Sequence, residues 1–331
     1  MKLIAETAWH HQGDYKFMKN LIEKLSTETN ADIIKMHITL DFDEYMDPKH
    51  EGYSLLKPWL FTKEQWTELI LIVQNSGKEI MLLVNDLEAV AFAKEFNPNY
   101  IEVHSVCLND IFLLDKVKSI LDGKMKLVLG VGGTDIEEID HAINYLSHDN
   151  ILLMFGFQNY PTVYKDVNLN KIRRIMNLYP KFDYGYADHT AWDSPNNELI
   201  TLLGAASGMK YIEKHVTTEY GKERVDWNAA ISIEMFNKLS EQIKILDDLN
   251  GNGLLEMNKG ELNYSIFGPM KKAAILKEDL QKGEFLSKEM IMFIRTDSIS
   301  DISQLEVIQS LGKEISTDMK KGELLMKSSF I

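Results

Sequence analysis

The sequence predicts a (β/α)₈ barrel followed by a small β-rich domain. Short, continuously apolar runs recur at even spacing between residues 3 and 216, as do strands of a parallel sheet that is covered on both faces. Amphipathic helical patterns lie between the runs, and beyond residue 264 both patterns weaken. Alternation of this length is typical of a barrel, since the alternative, a doubly wound sheet, rarely needs eight evenly spaced units.

The predicted strands are the apolar runs at residues 3–8, 33–38, 79–84, 100–105, 126–131, 151–156, 183–188 and 211–216. Helix starts lie between them. Thr62 and Gln65 form a capping box, the segment 134–137 opens another helix, and Ser194 precedes Pro195 at a predicted first helical position. The longest insertion, residues 39–61, follows the second run and is expected to form a lid or rim.

A last helix at about residues 233–249 would complete the barrel, and the glycine-rich stretch 250–253 would end it. We therefore predict a barrel domain at 1–250, a linker at 251–265 and the β-rich domain at 266–331. Within the latter, segments 278–286 and 317–325 resemble each other, which indicates a weak internal duplication.

The net charge of −14 argues against two classes of partner. Such a chain repels nucleic acid and anionic membranes at long range, so we expect neither. The sequence has no apolar run long enough for a membrane span and no signal-peptide pattern at its N-terminus. Cys107 is the only cysteine and cannot form an intrachain disulfide. This fits a reducing compartment, and we expect a cytoplasmic protein.

Polar side chains cluster at the carboxyl ends of the predicted strands, where a barrel carries its active site. They include Glu6, Lys35, His37, Glu102, His104, Ser105, His189, Glu213 and His215. Side chains alternate along a strand, so residues 35 and 37 share one face, as do 213 and 215.

Two of these positions leave alternatives open. His189 and His215 could share a divalent metal or be a hydrogen-bonded structural pair. Lys35 lies in an apolar run, where a lysine needs a partner or a task. It could form a salt bridge with Glu6 or Glu213, or a Schiff base as in barrel aldolases.

Two loops also carry candidate residues. The turn from Gly130 to Gly133 could hold a phosphate on backbone N–H groups, or be an ordinary turn between strand and helix. His10 and His11 could ligate a metal, but such a loop pair is more often exposed to solvent or facing substrate.

Several segments, in this order, resemble the sialic acid synthase family. They are IAETAWHHQGD at 4–14, IK at 34–35, DLE at 86–88, YPTVYKDVNL at 160–169, GYADHT at 185–190, IEKHVT at 212–217, DWNAA at 226–230 and IR at 294–295. The resemblance covers essentially the whole chain and implies that the C-terminal domain is antifreeze-like.

The resemblance implies an activity and a cofactor. Members of the family condense phosphoenolpyruvate with an N-acetylated amino sugar, giving a nine-carbon 3-deoxy-2-keto sugar acid and phosphate. The product here would be of the sialic, legionaminic or pseudaminic type. His189 and His215 would hold the divalent metal, Mn²⁺ or alternatively Mg²⁺ or Co²⁺, which polarises the sugar aldehyde.

The resemblance also implies residue roles. Glu6 would handle sugar hydroxyls or protons, Asp226 would orient the sugar, and Lys35 would bind the phosphoenolpyruvate anion. Arg295 would reach the N-acyl group from the other subunit of a domain-swapped homodimer. The further positions expected to bind substrate are His11, Ser105, Gln158, Tyr160 and Asp188.

This chain departs from the family where phosphoenolpyruvate should bind. Glu102 stands where the family has a lysine, which reverses a charge beside the anion. Ala187 replaces a serine, Gln158 replaces an asparagine or serine, and the turn 130–133 differs. Two alternatives therefore stay open: a metal-dependent aldolase, lyase or other-donor enzyme on the same scaffold, and a non-catalytic sugar-binding relative.

Overall fold

The computed structural model describes residues 1–156, 159 and 161–331, so the predicted substrate residues Gln158 and Tyr160 lie outside the described residues. The chain forms two compact units, Met1–Gly251 and Asn252–Ile331. The division falls within the glycine-rich stretch 250–253, because glycines and asparagines there end the last helix of the first unit.

The first unit is a closed parallel barrel, which confirms the predicted fold class. In the described chain its strands are β1 Lys2–Glu6, β2 Ile33–Ile38, β3 Glu79–Val84, β4 Tyr100–Val103, β5 Lys126–Gly130, β6 Ile151–Gly156, β7 Asp183–Ala187 and β8 Tyr211–Thr217. Each strand pairs in parallel with the next, and β8 closes the barrel on β1. A short strand, β9 Ile231–Ser232, extends β8.

Helices surround the strands. They are α1 Tyr15–Glu28, α2 Phe42–Tyr45, α3 Tyr53–Leu56, α4 Lys63–Ser76, α5 Leu87–Lys94, α6 Ile111–Lys118, α7 Ile136–Leu146, α8 Tyr164–Val167, α9 Leu169–Leu178, α10 Asn197–Ala205 and α11 Ile233–Asn250. The insertion 39–61 forms α2, α3 and a single 3₁₀ turn at Lys57–Trp59. No helix of the described chain is both long and apolar enough to cross a bilayer.

Two helix starts show how local sequence sets these bounds. The capping box of Thr62 and Gln65 opens α4 as predicted. The prediction for α10 is wrong by two residues, since the helix begins at Asn197 rather than at Pro195. The cause is a turn, in which the Ser194 carbonyl accepts the Asn197 N–H at 3.1 Å and the Ser194 hydroxyl accepts that of Asn196 at 3.2 Å.

The core explains why the strands are apolar along their whole length. One face packs on the helices, and the other fills the barrel with a separate layer: Ile4, Ile33, Met81, Tyr100, Val128, Leu152, Met154, Ala187 and Tyr211. This layer plugs the barrel. The polar residues at the carboxyl ends of the strands therefore sit on an apolar floor, screened from water on one side.

The second unit has its own small core around a pair of antiparallel strands, β10 Ala273–Leu276 and β11 Ile291–Ile294. Two short helices, α12 Lys259–Tyr264 and α13 Gln304–Gln309, belong to the same unit. Its identity as an antifreeze-like domain remains a prediction.

The two similar segments of the second unit occupy equivalent places. Leu280 and Met319 exchange backbone hydrogen bonds of 2.9 and 2.8 Å. The Asp279 carboxylate accepts the N–H of residue 321, and the Asp318 carboxylate accepts that of residue 282, both at 2.8 Å. The matched contacts support the internal duplication that the sequence suggests.

Candidate active site

A polar cavity lies at the carboxyl ends of the barrel strands. Its described walls are Glu6, Lys35, His37, Glu102, His104, Ser105, Gly130, Gly132, Met154, Gly156, Ala187, His189 and Glu213. These residues come from β1, β2, β4, β5, β6, β7 and β8 and from the segments that follow β4, β5 and β7. The barrel thus brings residues from distant parts of the sequence to one end.

Three side chains at this end of the barrel converge as a metal site would require: Glu6 and His189 on the cavity wall, and His215 beside them. The Nε2 atoms of His189 and His215 are 3.2 Å apart, and a Glu6 oxygen lies 3.3 Å from His215 Nε2. The ligand atoms of all three lie within 4.8 Å of one another, and all three side chains are buried. Register explains the convergence, because Glu6 on β1 is paired directly with His215 on β8.

These distances fit a single bound cation. For bonds of about 2.1 Å, neighbouring ligand atoms of one metal ion lie about 3.0 to 3.4 Å apart. Two imidazoles and one carboxylate suit a first-row divalent ion such as Mn²⁺, Co²⁺ or Zn²⁺. Burial lowers the pKa of His189 to about 3, so its ring is neutral and able to donate a lone pair near pH 7.

Glu6 is ionised despite its burial. Burial alone would raise its pKa, but Lys35 and His215 act in the opposite direction, and the pKa lies well below the ordinary value. One of its oxygens contacts His37 closely, while the other faces His215. A carboxylate held between two imidazoles can accept a proton or bind a cation without reorganising.

The ammonium group of Lys35 lies on the cavity wall, and carboxyl groups surround it. Its ammonium lies 2.8 Å from Glu102, 3.0 Å from Glu213 and 3.5 Å from Glu6. Each of these side chains is at most 3% exposed. The predicted salt bridges to Glu6 and Glu213 are thus both present, and Glu102 adds a third.

The protonation states follow from this cluster. Burial would lower the pKa of Lys35, but Glu102 and Glu213 raise it well above its ordinary value. Such a lysine stays an ammonium and is a poor nucleophile, so the Schiff-base alternative has no support. Burial raises the pKa of Glu102 and raises that of Glu213 further, where the neighbouring Glu6 charge adds to it.

A second buried ion pair lies on the outer face of the same strands. Lys214 donates to Asp188 at 2.9 Å and to the side-chain carbonyl of Asn197 at 3.1 Å. The Asp188 carboxylate also accepts hydrogen bonds from the hydroxyls of Thr190 and Thr201. Lys214 and Asp188 are fully buried, and the interaction with Lys214 lowers the pKa of Asp188 against the opposing effect of burial.

This pair changes the interpretation of Asp188. Side chains alternate, so Ala187 and His189 face the cavity while Asp188 faces α10, and the same holds for His215 and Lys214. Asp188 is predicted to contact substrate, but its carboxylate accepts hydrogen bonds from Thr190, Thr201 and Lys214 instead. Its carboxylate instead ties the end of β7 to β8, which fixes the separation of the two histidines.

His10 and His11 are both buried, which excludes the expected exposure to solvent, while the predicted role of His11 toward substrate stays a prediction. His11 packs against Phe61, with ring centroids 4.4 Å apart, and its Nδ1 accepts the Gly13 N–H at 3.0 Å. His10 lies edge-on to His215 at 5.6 Å. Within the described residues neither ring nitrogen of His10 completes a hydrogen bond. Burial lowers the pKa of His10 to about 3, and the nearby backbone of Asp226 offsets part of this effect.

The remaining predicted residues are dispersed. Ser105 lines the cavity, and Gly130 allows it to approach, since a Cβ at position 130 would lie 2.8 Å from the Ser105 nitrogen. Asp226 is half-buried with a left-handed φ of 60°. Arg295 belongs to the second unit, where its Nε donates to the Pro269 carbonyl at 2.9 Å. Their roles toward substrate stay predictions.

Sequence reasoning missed two features of the cavity. It named Glu102 as a departure from the family but not as the closest partner of Lys35. It also gave no role to His104, whose pKa burial lowers to about 3. The spacing of residues 102 and 104, equal to that of 35 and 37, was the available signal, because both pairs face inward.

Replacing Lys214 should destabilise the fold strongly. Lys214→Met leaves the Asp188 carboxylate buried without its cation, which costs about 3 to 5 kcal/mol. Urea unfolding followed by tryptophan fluorescence measures this. Lys238→Met is the matched control: its pair with Glu198, at 2.8 Å, has a largely exposed lysine, so its loss should cost less than about 1 kcal/mol. A Lys214→Met variant as stable as the control would contradict the structural role of the pair.

The buried His10 predicts a pH dependence of stability. Its pKa of about 3 lies below the unfolded value of about 6.5, so the unfolded chain gains a proton in this window that the folded chain does not. Stability is thus full above pH 6.5 and is lost as the pH falls. As the pH falls from 6 to 4, the free energy of unfolding of metal-free wild type should decrease by about 1.4 kcal/mol per pH unit more than that of His10→Asn.

Urea unfolding at several pH values measures how steeply the free energy of unfolding changes with pH in wild type and in His10→Asn. His141→Asn, at an exposed position of α7, should keep the wild-type slope. Equal slopes for wild type and His10→Asn would show that the ring is protonated in the folded protein.

Comparison with known proteins identifies the family to which this chain belongs. A model of the NeuB family matches residues 19–254. An uncharacterised protein of Methanocaldococcus jannaschii is 27% identical over 98% of this chain and 92% of its own length. N,N'-diacetyllegionaminic acid synthase of Campylobacter jejuni is 26% identical over 98% of each chain.

A solved structure agrees with these matches. The N-acetylneuraminic acid (sialic acid) synthetase of Leptospira borgpetersenii, in complex with citrate, superposes with a TM-score of 0.70 at 25% identity, covering 79% of this chain and 88% of that one. The predicted resemblance to sialic acid synthases is confirmed, and the chain belongs to the NeuB family.

Proposed function

We propose that this protein is a metal-dependent sugar acid synthase. It would join a three-carbon donor to the aldehyde carbon of an open-chain, N-acetylated amino sugar. The observation that carries the proposal is the convergence of Glu6, His189 and His215 at the carboxyl end of the barrel. Family membership and the synthase names of two relatives support it.

A divalent cation on this triad, Mn²⁺ by the resemblance and otherwise Mg²⁺ or Co²⁺, would supply Lewis acidity toward the aldehyde oxygen. The chain itself supplies the remaining functions. One oxygen of the ionised Glu6 contacts His37 and the other faces His215, so the same carboxylate could hold the cation and orient the His37 ring. The apolar barrel floor excludes bulk water and so strengthens the charges in the cavity.

The resemblance extends the proposal to substrates. It implies phosphoenolpyruvate as donor and a nine-carbon sugar acid of the sialic, legionaminic or pseudaminic type as product. Asp226 would orient the sugar, and Arg295 would contact its N-acyl group from the other subunit of a domain-swapped homodimer.

His215→Ala should abolish tight metal binding and catalysis together. Wild type should bind about one Mn²⁺ or Co²⁺ per chain, and removal of one imidazole should weaken binding by more than about tenfold. Calorimetric titration and the Co²⁺ absorption spectrum measure binding without turnover. The control is His141→Ala, an exposed histidine on α7.

The reaction is tested with a panel of N-acetylated amino sugars and Mn²⁺, supplying either phosphoenolpyruvate or pyruvate and detecting sugar acids by mass spectrometry. Product that requires both metal and His215 supports the proposal. Metal binding unchanged in His215→Ala would remove this residue from the site, and no product from any pair of substrates would refute the synthase assignment.

A further inference from the structure

His10 lies beside the candidate metal site without being one of its three converging side chains. Its ring meets the His215 ring at 78°, with centroids 5.6 Å apart, and the charge of Glu6 also acts on it. In the described chain, the group of possible ligand atoms that lie within 4.8 Å of one another comes from Glu6, His189 and His215. The His10 ring is therefore one step further from a shared cation than these three.

The segment that carries His10 is fixed by contacts across the barrel end. Arg224 donates from Nη1 to the His10 carbonyl at 3.3 Å and from Nε to Glu219 at 2.6 Å. Its guanidinium also covers the Phe17 ring of α1, 3.9 Å from the ring centroid. These contacts join the segment after β1 to the segment after β8, so the fold itself sets the backbone position of His10.

The ring of His10 has hydrogen-bonding capacity that the protein does not use. The residue is 1% exposed, and among the residues that the structure describes no partner completes a hydrogen bond with Nδ1 or Nε2. Buried polar atoms are nearly always paired, so an unpaired one indicates a bound water, ion or ligand. A fixed and buried histidine at this place therefore points to a partner from outside the chain.

The surroundings of the ring indicate what kind of partner this is. A neutral imidazole has one N–H donor and one lone-pair acceptor. The backbone of Asp226 lies near the ring and attracts its N–H, which leaves the lone pair of the other nitrogen. Histidines at metal sites are oriented in this way, by an N–H directed at a backbone carbonyl.

From this arrangement we infer that His10 holds a water molecule that is bound to the cation of the Glu6, His189 and His215 site. This role rests on the proposed function, since it presupposes the cation. Two imidazoles and one carboxylate leave coordination positions open, and water occupies such positions at catalytic metal sites. A metal–oxygen bond of about 2.1 Å and a hydrogen bond of about 2.8 Å together span the additional distance to a histidine one step further out.

Removal of the two ring nitrogens should weaken metal binding without removing a ligand. His10→Phe keeps an aromatic ring against His215 and should still bind one Mn²⁺ per chain, about 10- to 100-fold more weakly than wild type. Calorimetric titration measures the affinity. The d–d absorption band of bound Co²⁺ should also shift, because a water at the ion loses its hydrogen-bond acceptor.

Two further variants separate this role from general damage to the fold. His148→Phe is the matched control, since His148 is a partly buried histidine between α7 and β6 whose Nε2 contacts the Met125 carbonyl at 3.2 Å. It should keep the wild-type affinity and Co²⁺ spectrum. His10→Gln retains an acceptor oxygen and should bind Mn²⁺ more tightly than His10→Phe. His10→Leu serves as the second nitrogen-free variant if His10→Phe does not fold.

A crystal structure of the Mn²⁺-loaded wild type shows the contact itself. We expect an ordered water that is bonded to the ion and lies within hydrogen-bonding distance of one His10 nitrogen. A loss of packing alone would not produce such a water, so this measurement is independent of the affinities.

Each outcome has a separate meaning. Wild-type affinity in the nitrogen-free variants, a water at the ion that does not contact His10, or a His10 nitrogen bonded directly to the ion overturns the role of His10 and leaves the metal site intact. Wild type that binds no Mn²⁺ refutes the metal-dependent function, and the role of His10 with it. Tight metal binding without any sugar acid product refutes the synthase function alone.

Discussion

The polar end of the barrel is held together by the contacts between the Lys35 ammonium and three carboxyl groups. They join β1, β2, β4 and β8 at one end of the barrel, and Glu102 at 2.8 Å is the shortest link. Buried ions gain stability only when their partners are close, because the cost of removing them from water is large. Lys35 therefore cannot move far from this cluster. The polar wall of the cavity is therefore a fixed arrangement of buried ionisable groups.

The other half of the cavity follows from strand alternation. Residues 187, 189 and 213 line the cavity and His215 lies beside Glu6, whereas Asp188 and Lys214 form a buried pair on the other face. The outward pair binds β7 to β8 and so fixes His189 and His215, whose Nε2 atoms are 3.2 Å apart. Because the pair lies outside the cavity, it holds the histidines in position without adding charge to it. The two ion clusters thus have different places: one holds the two histidines in position from outside the cavity, and the other surrounds the Lys35 ammonium with carboxyl groups inside it.

Much of this could be predicted from sequence, for identifiable reasons. Apolar runs fix the strands, since a parallel barrel buries both faces of each. Alternation then places His215 beside Glu213 on one face and Lys214 on the other. Sequence did not give the third partner of Lys35, because that depends on the contact of β4 with the barrel interior. It also did not predict the burial of His10 and His11, because His11 packs on Phe61 of the insertion and His10 lies near His215 and the Asp226 backbone. Local turn chemistry at Ser194 displaced the start of α10, since a hydrogen-bonded turn competed with the helix.

Glu6, His189 and His215 are proposed to form one metal site at the carboxyl end of the barrel. Anomalous diffraction from a crystal grown with Mn²⁺ tests it most directly. We expect a single strong peak within bonding distance of both Nε2 atoms and of a Glu6 oxygen. A peak elsewhere in the barrel, or none there while these side chains keep their positions, would contradict it.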